Sequence, residues 1–173
     1  MSTVTTLNPA TGRADGSDMA VLVVDDDPLI AGMLRLVLES EGYEVSHAED
    51  GRAALETIHE APPACMVLDM MMPHVDGYGV LEALAAEGGA ETRIVMLTCC
   101  SQEEDVRKCL RLGADEYLTK PVDVDFLLNT VRDLLSMEMD EVRSRRAAVS
   151  TDERALNERV GAALGRHAQF LAG

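Results

Sequence analysis

Three consecutive acids, Asp25-Asp26-Asp27, close a short apolar run, VLVV, and are followed by Pro28. Another run, CMVL, ends in Asp69; IVML ends in Thr98; and EYLT ends in Lys120-Pro121. If each run is a strand of one parallel sheet, these side chains meet beyond the carboxyl ends of the strands, where such sheets place their sites. Two carboxylates about 4 Å apart repel by roughly 4 kcal/mol at an effective dielectric of ~20, so the cluster calls for a cation. Hard oxygen ligands with open water positions suit Mg²⁺, which bridges carboxylates to phosphate. Asp25, Asp26 and Asp69 supply the protein side, and the backbone carbonyl of Met71 is placed to complete it. A carboxylate held in this way can attack phosphorus and become an aspartyl phosphate. Lys120 would then neutralise the phosphoryl oxygens, and Thr98 would donate a hydrogen bond to one of them. Asp27 reads instead as the N-cap of the helix that Pro28 opens.

The elements that must position these residues are legible as alternating patterns. Residues 20–24, 43–47, 64–68, 93–98 and 116–119 are apolar runs of strand length. Between and after them, five sets repeat at helical spacing, led by Leu29-Ile30-Met33-Leu34, Ala53-Ala54-Leu55-Ile58, Val80-Leu81-Leu84, Val106-Cys109-Leu110 and Leu127-Leu128-Val131. Five strands alternating with five helices predict an α/β fold, a doubly wound parallel sheet with right-handed crossovers and helices on both faces. Asp50-Gly51, Pro73, Asp76-Gly77 and Gly113 mark the loops.

With those motifs in hand, residues 20–135 resemble the receiver domain of a two-component response regulator. VLVVDDDP is similar to the acidic-pair strand of that family, VLDMMMPHVDG to its phosphoacceptor motif, MLTCC to its Thr/Ser strand end, and DEYLTKP to its aromatic and Lys-Pro motif. The resemblance implies a flavodoxin-like strand order 2-1-3-4-5 and phosphorylation of Asp69 by a sensor histidine kinase or phosphotransfer protein. It also implies metal ligation by Asp26, Asp69 and the Met71 carbonyl, with Asp25 beside them. Thr98 and Tyr117 become the coupled switch pair, and the Lys120-Pro121 peptide is expected cis. Cys99 stands where the family usually has a smaller residue, and Met71 and Cys100 flank the phosphoryl position.

Lys+Arg 15 against Asp+Glu 31 gives a net charge of -16, which opposes direct binding to nucleic acid or anionic membrane. Nothing in the first eighteen residues resembles a secretory signal, and no apolar run is long enough to span a bilayer, so a cytoplasmic location is expected. The charge divides the chain into a disordered leader (1–18), an acidic receiver (19–136) and a charge-balanced helical tail or linker (137–173). The tail is expected to prolong the fifth helix through Met139, Val142 and Val149. Ser150-Thr151-Asp152-Glu153 then reads as a capping box for a second helix with Leu156, Val160, Ala163, Leu164, His167 and Leu171 on one face. That stripe either docks on its own domain or pairs two copies, with the reading leaning to a homodimer. Cys65, Cys99, Cys100 and Cys109 form no C-x-x-C pair and read as buried thiols, with a redox or metal role for the vicinal Cys99-Cys100 as the alternative; His47, His59, His74 and His167 read as surface histidines; Met70-Met71-Met72 reads as packing and loop.

The functional expectation is a phosphorylation-controlled signalling module that is not an enzyme toward external substrates. One alternative is the regulatory part of a longer protein that carries an output domain. Another is a phosphatase of the haloacid dehalogenase type, but that family places its nucleophile after the first strand, whereas here the acidic pair comes first and the lone Asp third.

Overall fold

The computed structural model describes residues 19–99 and 102–172, with side chains through residue 166. The leader, Cys100, and the side chains of His167 and Leu171 lie outside the described residues. Strands β1 (Ala20–Val24), β2 (Glu44–Ala48), β3 (Cys65–Asp69), β4 (Arg93–Thr98) and β5 (Glu116–Thr119) pair in parallel in the order β2-β1-β3-β4-β5. This is the flavodoxin-like arrangement. The second and third strands sit one residue later than the apolar runs suggested, because Asp69 continues the β3 ladder opposite Leu97.

Strand side chains alternate between two faces, and each face builds its own core. Val21, Val23, Cys65, Val67, Val95, Leu97 and Leu118 pack against α1 (Pro28–Ser40) and α5 (Val124–Ser136). Leu22, Val24, Met66, Leu68, Ile94, Met96 and Tyr117 point the other way, toward α2 (Gly51–Glu60), α3 (Gly77–Ala86) and α4 (Glu103–Arg111). Aspartates cap four of these helices: Asp27, Asp50, Asp76 and Asp123 accept from the amides of Leu29, Ala53, Gly79 and Phe126. An Asp side chain satisfies an otherwise unpaired amide and suits the positive end of the helix dipole.

The tail departs from expectation in two ways. Helix α5 does not run on: it stops at Ser136, and Met137 is extended, with the Arg93 guanidinium donating to its carbonyl. A separate helix, α6 (Met139–Thr151), follows, and it absorbs Ser150 and Thr151, whose hydroxyls bond back to Arg146 and Ala147 carbonyls. The cap of α7 (Glu153–Ala172) is therefore Asp152, which accepts from the Arg154 amide, and no Ser150 capping box forms. The described part of the α7 stripe, from Leu156 to Leu164, is also covered by its own domain. Leu156, Val160 and Ala163 are buried in the core with Val106, Cys109 and Leu110 of α4, and Leu164 packs against it. Those four positions of the surface expected to pair two copies are thus occupied intramolecularly.

Candidate functional site

The three leading acids take three separate directions. Asp25 is 1 % exposed; its Oδ1 accepts from the Asp27 amide at 2.9 Å, leaving Oδ2 to face Lys120 Nζ at 2.9 Å. Asp26 is exposed beside it. Asp27 turns to cap α1 at 2.8 Å, as its position before Pro28 suggested.

Asp69, 3 % exposed, ends β3, and its Oδ1 lies 3.0 Å from the same Lys120 Nζ. One ammonium thus bridges two buried carboxylates contributed by different strands. Thr98 is fully buried at the end of β4, and the Lys120 amide donates to its carbonyl at 2.7 Å, bringing the exit of β5 beside it. The Lys120-Pro121 peptide is cis.

Burial pushes the Asp69 carboxyl above the ordinary carboxylate range, aided by the nearby Asp25 charge and opposed by Lys120. Burial alone would lower the Lys120 ammonium, but hydrogen bonds from it to Asp25 and Asp69 outweigh burial and hold it above its usual value. The cation is thereby kept charged between its two partners.

Asp25, Asp26 and Asp69 each offer a carboxylate oxygen, all within 4.8 Å of one another. Three hard oxygen donors, one of them on an exposed residue, fit Mg²⁺, which retains several waters. Met71 stands in the loop two residues beyond Asp69 and is 65 % exposed, while Met70 and Met72 are buried. Its backbone role as a ligand rests on the resemblance alone.

Two contacts at this edge escaped the sequence reading. His47, exposed as expected, places Nε2 3.0 Å from the Asp25 backbone carbonyl; the cue is that β2 sets His47 opposite Val23. Gly77 is more demanding: a Cβ there would lie 2.6 Å from the Asp69 carbonyl oxygen and 2.9 Å from Met70 Cα. The start of α3 presses on the backbone of the candidate acceptor, an approach that only glycine permits.

Tyr117 is 3 % exposed, in the same core cluster as Val106, Leu156 and Val160. Cys65 and Cys109 are buried, and burial pushes the Cys65 thiol up to about 12, but Cys99 is exposed, contrary to the reading of all four thiols as buried.

The response regulator receiver domain model matches residues 21–132. The chain belongs to that family. Over 127 residues this receiver is 37 % identical to the transcriptional regulatory protein TrcR of Mycobacterium tuberculosis, a match covering 73 % of this chain and 49 % of TrcR. It is 40 % identical over 116 residues to the DNA-binding dual master transcriptional regulator RpaA of Synechocystis, covering 66 % of this chain and 48 % of RpaA. The receiver therefore spans about half the length of the curated relatives it matches. Among solved structures, the receiver domain of the Francisella response regulator 1452 aligns with a TM-score of 0.64 at 34 % identity, covering 67 % of this chain and 95 % of that one. DrrB of Thermotoga maritima aligns with a TM-score of 0.60 at 33 % identity, over 67 % of this chain and 52 % of that one. Membership decides against the haloacid dehalogenase alternative. Among the described residues no helix is long and apolar enough to cross a membrane.

Proposed function

We propose that this receiver accepts a phosphoryl group on Asp69 from the phosphohistidine of a sensor kinase or phosphotransfer protein, and relays the change to an interaction surface or to its helical tail. The single observation that carries the reading is the position of Lys120, within 3.0 Å of both Asp25 and Asp69 at an edge where three carboxylate oxygens converge. An Asp69 oxygen forms the new O–P bond as the donor N–P bond breaks, and that electron pair stays with the donor imidazole. Asp25, Asp26, Asp69 and the Met71 carbonyl would hold Mg²⁺, which when bound neutralises charge between the carboxylates and the phosphoryl oxygens. Lys120 follows the transferred oxygens, and the Thr98 hydroxyl donates to one of them. The protein turns over no external substrate and works in the cytoplasm.

Coverage of only half of each curated relative supports a second reading, in which the chain is the regulatory part of a longer response regulator. Any contact with DNA would then belong to that output domain, since this chain carries a net charge of -16.

Incubation with acetyl phosphate and Mg²⁺, followed by intact-mass measurement, tests the assignment. One phosphoryl group is expected on the wild type, and none on Asp69→Asn or in excess EDTA. Equal labelling of Asp69→Asn would overturn it.

A further inference from the structure

Asp25 and Asp26 follow β1 and Asp69 ends β3, so the two halves of the acidic site come from different strands, and one short segment touches both. At the end of β2 the Ala48 carbonyl accepts from the Asp25 amide at 3.3 Å, and His47 Nε2 lies 3.0 Å from the Asp25 carbonyl. Only Glu49 and Asp50 separate β2 from α2, and Asp50 fixes that turn by accepting from the Ala53 amide at 2.8 Å. The next residue, Gly51, donates its amide to the Val75 carbonyl at 3.2 Å, in the loop that follows Asp69.

This second contact is tight. A Cβ on Gly51 would lie 2.5 Å from the Val75 carbonyl oxygen, 2.6 Å from Val80 Cγ2 and 2.9 Å from Val75 Cγ1, and one on Gly79 would lie 3.0 Å from the same Val75 methyl. Val75 is therefore seated between two glycines, in a space that exists because neither carries a side chain. The near end of the loop is fastened by the sheet and by α3: the Met70 amide donates to the Leu97 carbonyl at 3.1 Å, and the Gly77 amide to the Met70 carbonyl at 3.0 Å. His74, just before Val75, holds a φ of 66°, a left-handed conformation that costs a residue with a side chain and persists where flanking contacts over-determine it. Met71 lies in this fastened loop, between the buried Met70 and Met72.

We propose that the turn from Ala48 to Gly51 is a strut that sets the spacing between Asp25-Asp26 and the loop after Asp69, with Gly51 as a positioning residue for Mg²⁺ affinity. The inference rests on the proposed phosphoacceptor function and deepens it by assigning metal affinity to a segment outside the ligand set. The carboxylate oxygens of Asp25, Asp26 and Asp69 already lie within 4.8 Å of one another, and Mg²⁺ demands near-ideal octahedral geometry, so pushing the loop outward weakens binding.

Titrating the isotope-labelled full chain with Mg²⁺ and following its amide NMR shifts gives the dissociation constant and shows in the same spectra whether each variant is folded. Gly51→Ala is expected to bind Mg²⁺ roughly 10- to 100-fold more weakly than wild type, the usual effect of disturbing a group that orients metal ligands. Val75→Ala keeps the backbone contact but removes the methyls seated between the glycines; it should weaken binding in the same direction and replaces Gly51→Ala should that variant fail to fold. Gly161→Ala, with open space around it on α7, should bind as wild type does. At saturating Mg²⁺, acetyl phosphate should label Gly51→Ala as fast as wild type, since the strut acts on metal binding and not on Asp69 itself. Wild-type affinity in the folded variant overturns the strut and leaves the phosphoacceptor reading standing. A labelling defect that persists at saturating Mg²⁺ places the fault at Asp69 and also overturns the strut. No Mg²⁺ binding by the wild type overturns both.

Discussion

The Arg146 guanidinium donates to both carboxylate oxygens of Asp115, at 2.9 and 2.5 Å, and so fastens α6 to the residue just before β5. Both partners are largely removed from water, their side chains 13 % and 3 % exposed. Asp115 also accepts from the Ile94 amide, and Arg146 also donates to the Ala90 and Thr92 carbonyls. Removing one member of a buried pair strands the other's charge and typically costs about 3–5 kcal/mol. Arg146→Ala is therefore expected to lower stability in urea by about 3 kcal/mol or more, whereas Arg154→Ala, on an exposed pair with Glu158, should change it by less than ~1 kcal/mol. Equal effects would show that the Asp115 contact holds nothing.

A pH dependence follows from Asp69. Its carboxyl binds a proton more tightly in the folded chain than its ordinary value of 3.8, so the stability it contributes is complete below that value and is lost as pH rises through the folded value. At neutral pH its ionised form therefore opposes folding in metal-free buffer. Asp69→Asn should melt higher than wild type at pH 7, with the gap closing as pH falls toward 3.8, while Asp25 keeps Lys120 paired. Adding Mg²⁺ should stabilise wild type more than the variant, because ligand binding favours the state that binds. Calorimetry across pH, with and without Mg²⁺, checks both.

What the sequence made legible was local. The ends of β1, β4 and β5 and the convergence of Asp25, Asp69, Thr98 and Lys120 follow from apolar runs closed by reactive residues, because a parallel sheet sends all its carboxyl ends one way. The tail was harder, since its decisive contacts join residues 29 to 50 apart in sequence. Arg145, Arg146, Arg159 and Arg166 look like an ordinary charge-balanced surface until Asp115 and Glu116 are placed opposite them. The break after Ser136 likewise depends on Arg93, which reaches the Met137 carbonyl from β4. Gly77 marked a loop; that it touches the Asp69 backbone is a tertiary fact.

That contact makes Gly77→Ala a sharp probe of how the proposed acceptor, Asp69, is held. The added methyl would overlap the Asp69 carbonyl oxygen and Met70 Cα, which are backbone atoms with no rotamer to yield. Overpacking of this kind costs typically 1–3 kcal/mol, and here the relief must come from the end of β3 or the start of α3. Reduced stability together with slower acetyl phosphate labelling is expected. A stability loss with unchanged labelling would place the relief in α3 alone.

Leu156 provides the most direct check on where the tail lies. Its side chain is fully buried, in the cluster formed with Val106, Cys109, Leu110 and Tyr117, and it belongs to the stripe that a free tail would have offered to a second copy. Leu→Ala at a packed site costs about 2–5 kcal/mol, the removed transfer free energy plus the cavity left behind. If α6 and α7 detach as a unit, the loss is capped by the free energy with which they dock. Leu156→Ala is accordingly expected to lose about 2 kcal/mol or more in urea unfolding and to speed α7 amide exchange, while α1 exchange at Leu34 and Leu38, in the opposite core, stays protected. Light scattering should find the wild type monomeric, since Leu156, Val160, Ala163 and Leu164 of the stripe are already covered. A dimer that vanishes with Leu156→Ala would place the stripe between two copies instead.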